Sequence, residues 1–328
     1  MKIFTSLDNF PSPPDGCVVT VGNFDGVHRG HQDIFARARS LAQENSLPLI
    51  GITFDPSAAK VLRPDNAPRI LTPLEIKTQL LAQQGLDQLI VVKTTRKFLD
   101  LSPAQFVENI LLKRLALRHI VEGPTFGFGN RRLGTTFSLE ELATRFGFQA
   151  HMVSAFTIIL DERKPPTALS STLLRHLVRD SLFPKVKQCL GRDYELAGRV
   201  CTGLGRGREL GFPTANLEPY NPDQLVPQDG VYAGFARLGK NFEDAWKQEK
   251  KYPAAISIGR GETFSDGLWQ IEAHLLDYEA NPPSLLRHHI IITLIERLRP
   301  QKKFNSNGEL IQAIENDCQT IRQTLKAR

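Results

Sequence analysis

Cys17-Val18-Val19-Thr20-Val21-Gly22-Asn23-Phe24-Asp25-Gly26-Val27-His28-Arg29-Gly30-His31 is the stretch on which the reading of the first half turns. It opens as an apolar run of strand length. From about His31 onward, Ile34, Phe35, Ala38, Leu41 and Ala42 share one helical face. Strand, glycine-rich turn and helix in that order place the turn beyond the carboxyl end of a strand, where doubly wound sheets bind ligands. Gly22, Gly26 and Gly30 let backbone approach a ligand closely. His28 and His31 stand three apart at a helix start, whose free N–H groups favour phosphate. Two imidazoles there can donate to a phosphate that gains charge during transfer. Two plainer readings stay open: a metal site with no evident third ligand, and simple capping of the helix.

Outward from this stretch the alternation continues. Residues 48–54, 88–92, 119–123 and 150–156 read as strands. Thr72-Pro73-Leu74-Glu75 opens a helix that stops near Gly85, Ser102-Pro103 opens another, and Ser138-Leu139-Glu140-Glu141 caps a third. Repeated βα units predict a parallel sheet with helices on both faces. After Gly191 glycine and proline become frequent. Short apolar runs lie between turns: 194–200, 229–238, 254–259, 269–278 and 288–295. That spacing predicts an antiparallel barrel or sandwich. Leu310, Ile311, Ile314, Cys318, Ile321 and Leu325 form the apolar stripe of a last helix, from about Asn307 to Lys326, expected to cover it. The expected division is 1–185 and 186–328.

The length of 328 residues fits two domains. With 41% apolar and 23% charged residues, the composition excludes long disorder and collagen-like chains. No apolar run approaches the ~20 residues that span a bilayer. The first residues carry no apolar stretch of signal-peptide length. Cys17, Cys189, Cys201 and Cys318 lie far apart with no CxxC pair, which argues against a zinc site or disulfide scaffold and fits a reducing cytoplasm. The net charge of +6 is scattered, with no basic arm, so small phosphorylated ligands are expected rather than nucleic acid or membrane.

The glycine-histidine turn, inside GxFDGVHxGH, resembles the bacterial bifunctional riboflavin kinase/FMN adenylyltransferase (FAD synthetase) family, and the resemblance runs from about residue 15 to 325. It implies a Rossmann-like α/β nucleotidyltransferase domain followed by a six-stranded antiparallel β-barrel with a C-terminal helix. His28 and His31 would then act on the ATP phosphates, with Gly22, Asn23, Phe24 and Gly30 around the nucleotide. Leu169-Ser170-Ser171-Thr172 through Arg175 is similar to a family motif whose serine, threonine and arginine grip triphosphate, which implies that role for Ser171, Thr172 and Arg175. Phe54, Phe126 and Phe128 would border the flavin. The family's TFEPHP is Thr53-Phe54-Asp55-Pro56-Ser57-Ala58 here. Its GxDFxFG, with arginine between the phenylalanines, is Gly123-Pro124-Thr125-Phe126-Gly127-Phe128-Gly129, and Leu173 stands where an arginine is frequent. Arg131 and Arg132 are the candidates to replace the missing charge.

In the second half, Gly203-Leu204-Gly205-Arg206-Gly207-Arg208 followed by Leu210-Gly211-Phe212-Pro213-Thr214-Ala215-Asn216-Leu217 makes a glycine loop able to fold over phosphates. LGFPTANL is similar to the riboflavin kinase signature, which implies that Thr214 and Asn216 hold Mg²⁺ with ATP, and Gly203, Gly205, Gly207 and Arg208 the nucleotide. Trp269 to Asp277 is similar to the strand carrying that family's catalytic base, which makes Glu272 the base toward the riboflavin hydroxyl. Read alone, an outward polar residue on an alternating strand explains Glu272 as well. Tyr232 reads as packing. Ser257-Ile258-Gly259-Arg260-Gly261-Glu262-Thr263-Phe264 departs from NIGxxPTF. Arg299-Pro300-Gln301-Lys302-Lys303-Phe304 departs from RxExKF, with Arg299 and Gln301 placed at the flavin.

The expected function is two-step FAD synthesis: ATP phosphorylates riboflavin in the barrel, and FMN is then adenylylated in the first domain. Riboflavin, FMN, FAD and ATP are the expected partners, flavins being substrate and product, with Mg²⁺ as cofactor. Self-association stays open. The altered residues leave two alternatives: riboflavin kinase alone, or a flavin- or nucleotide-binding regulator.

Overall fold

The computed structural model describes residues 1–8, 10–203, 205–260, 269–278 and 285–326. They form two compact units: Met1–Pro68 with Ile76–Ser171, and Arg69–Glu75 with Thr172–Arg328.

The first unit contains β1 (Lys2–Phe4), β2 (Cys17–Val21), α1 (Arg29–Glu44), β3 (Leu49–Phe54), α2 (Ala58–Leu62) and most of α3 (Leu74–Gln83). It continues through β4 (Gln88–Val92), α4 (Arg96–Leu99), α5 (Pro103–Gln105), β5 (Leu117–Glu122), α6 (Thr136–Phe146), β6 (Gln149–Met152) and the short pair β7 (Thr157–Ile158) and β8 (Thr167–Ala168). One sheet runs β1-β4-β3-β2-β5-β6, every pair parallel. All five residues of β2 and five of six in β3 are buried, because helices cover both faces and leave no side for polar residues. The chain runs outward from β2 through β3 and β4, then returns to β5. The strand order thus reverses between β2 and β5, and the glycine-histidine turn leaves β2 at that point.

Local differences separate the sequence reading from the fold in the first unit. Lys2–Phe4 forms an edge strand on β4 that was not read as an element. The strand expected over 150–156 leaves the sheet after Met152. Helix α6 is capped by Thr135 rather than Ser138: the Thr135 hydroxyl accepts from the Ser138 N–H (3.3 Å), and Ser138 Oγ accepts from the Thr135 N–H (2.8 Å). The Ser102 cap appears as read, in a reciprocal pair with Gln105.

The second unit holds α7 (Ser171–Arg179) from its second residue onward, then α8 (Phe183–Leu190), β9 (Tyr194–Cys201), α9 (Arg206–Glu209), β10 (Thr214–Pro219) and β11 (Gly230–Gly239). It ends with α10 (Phe242–Lys247), β12 (Tyr252–Arg260), β13 (Trp269–Leu275), β14 (His289–Arg299) and α11 (Asn307–Lys326). Six strands close an antiparallel barrel in the order β10-β13-β12-β11-β14-β9. Alternation is clean on β13, where Ile271, Ala273 and Leu275 are buried between half-exposed neighbours. The stripe of α11 packs as expected: Cys318, Ile321 and Leu325 join Ala233, Leu276 and Ile295 in one cluster. Tyr232 is fully buried, its ring edge-on to Phe183 at 5.9 Å and its hydroxyl 3.0 Å from Ser181 Oγ.

Candidate functional site

In the first unit the turn after β2 is held in a demanding conformation. Phe24 (φ 45°) and Val27 (φ 41°) both sit in the left-handed region without being glycine, a strain that concentrates at functional sites. Phe24 is buried, packed edge-on to His31 (5.5 Å) and against Phe35 (4.7 Å). Helix α1 begins at Arg29, and His28 is its N-cap: His28 Nδ1 accepts the His31 N–H at 3.3 Å. Capping and site geometry therefore coexist in one ring. The His28 and His31 rings stack at 3.6 Å and 15°, and a Cβ on Gly30 would meet the His28 ring at 3.3 Å. His31 Nδ1 is buried without a hydrogen-bond partner. Burial first, then the neighbouring His28 and Lys77, holds the His31 pKa well below the ordinary histidine value, so the ring is neutral.

Three further groups complete the turn. Ser171 Oγ donates to the Asp25 carbonyl at 2.9 Å. Lys77, only 7% exposed, donates from Nζ to the Asn23 carbonyl at 3.3 Å. Burial lowers its pKa, opposed by Asp25 and Asp55. Glu122, at the end of β5, accepts the Val21 N–H at 2.7 Å, and burial raises its pKa well above the usual carboxylate range. Neither Lys77 nor Glu122 was singled out in the sequence. The signal for Lys77 was a lysine on the apolar face of α3, beside Ile76, Leu80 and Leu81. For Glu122 it was a carboxylate closing an apolar strand.

An aromatic row runs through the same unit. Phe54 lies 5.9 Å from Phe98, Phe98 6.1 Å from Phe106, Phe106 5.9 Å from Phe128, and Phe128 stacks on Phe126 at 5.2 Å and 17°. Arg132 Nη2 donates to the Thr125 carbonyl at 2.9 Å. A Cβ on Gly127 would meet that guanidinium at 2.8 Å, so Arg132 fills the space above the residue between the two phenylalanines. Ser57, in the segment after Phe54, accepts the Lys60 N–H and caps α2.

The second unit brings the other group of residues together. Thr214 and Asn216 lie on β10, a strand the sequence reading had taken as part of a loop. The register sets Asn216 opposite Glu272 and Thr214 opposite His274; on the other side of β13, Glu272 faces Ser257. Residues 214, 216, 272, 274 and 257 are half-buried, while Ala215, Ala273, Ile256 and Ile258 between them point into the barrel. The polar row is therefore on the outer face. Gln270 donates to Glu272 Oε1 at 2.7 Å, and Gln301 donates to Ser257 Oγ at 2.8 Å, bringing Gln301 to the strand beside Glu272. Arg299 pairs with Asp317 of α11, with Nη2 2.7 Å and Nε 3.0 Å from the carboxylate.

A cavity of about 550 Å³ opens beside Thr214 and Asn216, lined among others by Gly203, Gly205, Arg208, His274 and Asp277. A Cβ on Gly203 would lie 2.1 Å from Asn216 Nδ2, so only glycine lets the loop lie against that amide. Leu275, Leu276 and Leu285 add apolar lining to the cavity, and Arg322 of α11 reaches Asp277 at 2.9 Å. Thr214 and Asn216 offer neutral oxygen ligands only, and no group of three His, Cys, Asp or Glu able to hold a metal occurs among the described residues. Such a donor set fits an ion held chiefly by phosphates and water. Thr172 and Arg175 lie in this unit, Arg175 Nε donating to the Arg69 carbonyl at 2.7 Å. Leu204 and Gly261 to Phe264 lie outside the described residues.

Residues 11–164 match the family model described as FAD synthetase, and residues 190–325 match that described as riboflavin kinase. The chain is 32% identical over 324 residues to a bifunctional riboflavin kinase/FMN adenylyltransferase of Escherichia coli K12, covering 98% of this chain and 97% of the relative. It is equally 32% identical over 323 residues to the Pseudomonas fluorescens protein of the same description, again covering 98% and 97%. A crystal structure described as a macrolide-efflux protein from Streptococcus pneumoniae superposes with a TM-score of 0.81 at 25% identity, covering 98% of each chain. Among the described residues no helix is long and apolar enough to cross a membrane. Matched in both halves and along almost the whole length of these relatives, the chain belongs to the bifunctional riboflavin kinase/FMN adenylyltransferase family.

Proposed function

We propose that this chain makes FAD from riboflavin in two ATP-dependent steps, one in each unit. The observation that carries the reading is the polar row on the barrel face, with Glu272 opposite Asn216 beside a glycine-lined cavity. It occurs in a chain whose other unit places two stacked histidines at a strand-end turn.

In the barrel, the Glu272 carboxylate accepts the proton of the riboflavin 5′-hydroxyl as that oxygen bonds to the γ-phosphorus and ADP leaves. Gln270 orients the carboxylate through its 2.7 Å donation. Thr214 and Asn216 would hold Mg²⁺, which supplies charge neutralisation at the phosphates when bound. Gly203, Gly205, Gly207 and Arg208 contact the nucleotide. Gln301 borders the flavin, with Arg299 behind it anchored on Asp317. In the first unit, an FMN phosphate oxygen attacks the α-phosphorus of ATP in line and pyrophosphate leaves. His28 and His31 orient the phosphates, with Gly22, Asn23, Gly30 and Ser171 completing the nucleotide site and Phe24 supporting the histidines. Phe54, Phe126 and Phe128 offer a stacking surface to the isoalloxazine, and Arg132 supplies a guanidinium above Gly127.

A second reading, riboflavin kinase alone, is favoured by the altered segment after Phe54, where Ser57 caps α2. Incubating the full chain with riboflavin, ATP and Mg²⁺ and separating the flavins decides between them. FAD is the expected product. Accumulation of FMN alone would leave the kinase and remove the adenylyltransferase; no conversion would leave a binder.

A further inference from the structure

Lys77 is placed where a lysine is unfavourable. Helix α3 turns Ile76, Leu80 and Leu81 into the core, and Lys77 joins that face at 7% exposure. A leucine or methionine would bury there without taking a charge out of water. Buried lysines that weaken a core mark sites where function, not packing, selects the residue. The amine also has a specific partner. The Asn23 carbonyl accepts from Lys77 Nζ and from Thr53 Oγ, each at 3.3 Å. That carbonyl opens the turn in which Phe24 and Val27 take left-handed backbone and which ends on His28. Two donors from two different elements thus hold the start of a strained segment. The histidine pair beyond it cannot carry full charge, because the rings are stacked 3.6 Å apart and one is buried.

Resting on the reading of this turn as the FMN adenylyltransferase site, we propose that Lys77 is a positioning residue for adenylyl transfer. Its Nζ, bound to the Asn23 carbonyl, fixes the turn that aims His28 and His31, and in its charged form it brings a positive charge to that turn. Asp25 and Asp55 are the two carboxylates that favour its charged form, against the burial that lowers its pKa.

The test uses the full-length protein with Lys77→Met and Lys77→Arg. Three quantities are measured on each: FAD formation from FMN, FMN formation from riboflavin, and the melting temperature. Methionine conserves volume and suits the apolar face, so Lys77→Met is expected to melt no lower than wild type and to phosphorylate riboflavin normally. Its kcat for FAD formation is expected to fall by about 10²-fold, with KM for ATP changed by less than about threefold, because the lost effect is on the transition state. Lys77→Arg, which keeps the charge and a donor, is expected to recover about a tenth or more of the wild-type kcat. The proposal is overturned if Lys77→Met forms FAD within about threefold of wild type, if the loss lies wholly in KM, if activity falls only together with the melting temperature, or if arginine rescues nothing. A wild-type protein that makes FMN but no FAD would instead overturn the assignment of the site itself.

Discussion

The two sites solve the problem of handling phosphate in opposite ways. In the first unit the chemistry is carried by a buried turn: His28 is 5% exposed, His31 Nδ1 is sealed off, the rings are held by capping and stacking, and Lys77 holds the start of the turn. In the second, the residues stand on the outside of a barrel, half exposed, and are aligned chiefly by strand register, with Gln270 and Gln301 as the side-chain partners of the row. A buried site is set by many mutually dependent contacts, so its residues should fail together. A site on a regular strand is set by the backbone, so its residues should fail one at a time.

The largest expected effect tests that contrast directly. Replacing His28 and His31 together by alanine removes the helix cap, the ring stack and the phosphate donors at once. FAD formation from FMN should fall by at least about 10³-fold, while FMN formation from riboflavin stays near normal. Equal loss of both activities would show that the sites are not separable; unchanged FAD formation would remove the histidines from the mechanism. Next comes Glu272→Gln, which keeps the volume, and the amide oxygen can still accept from Gln270. General-base contributions are typically ~10²–10⁴-fold, so riboflavin phosphorylation should drop by at least about 10²-fold with ATP still bound and FAD formation from supplied FMN untouched. Near-normal turnover would mean that another base acts on the barrel face.

The smallest effect is on stability and concerns Glu122. Its folded pKa is raised by burial, so the folded state retains a proton that the unfolded chain releases above the ordinary glutamate value of ~4.3. The stabilisation is therefore complete below that value and is lost as pH rises through the folded pKa. Glu122→Gln keeps an acceptor for the Val21 N–H and has no proton to lose. Thermal unfolding of the first unit should become flatter between roughly pH 5 and 8, with a gain on the order of 1 kcal/mol at the upper end. An unchanged slope would mean that Glu122 is solvated more than its 3% exposure implies.

Much of this organisation is legible in the sequence. The strand-turn-helix at 17–31 and the spacing of later apolar runs indicated both layers, because buried parallel strands and alternating barrel strands leave different periods in the sequence. The short edge strand Lys2–Phe4 was not legible, since three residues carry no period and their pairing with β4 is a long-range event. The segment Thr214 to Leu217 looked like loop because glycine and proline precede it; only closure of the barrel makes it a strand. The histidines were legible as a pair and capping was an open reading, which His28 fulfils; their stacking was not legible, because it depends on where the helix starts. Lys77 and Glu122 were hidden because each sits singly in an apolar run, where a charged residue reads as exposed until packing shows otherwise. Arg299 was legible as a motif position, but its bond to Asp317 comes from a helix that follows it in the chain.

The register that puts Glu272 between Asn216 and Ser257 has a kinetic consequence. Those three residues come from three strands, and β10 and β13 are distant in sequence, so their pairing carries a loop-closure penalty before it gains any contact. Pairing one residue out of step would turn Glu272 inward and bring Ala273 to the outer face. No partly assembled barrel therefore holds a partly working kinase. During refolding, riboflavin phosphorylation should return only with the final, in-register closure, which makes catalysis itself the clock for that last step.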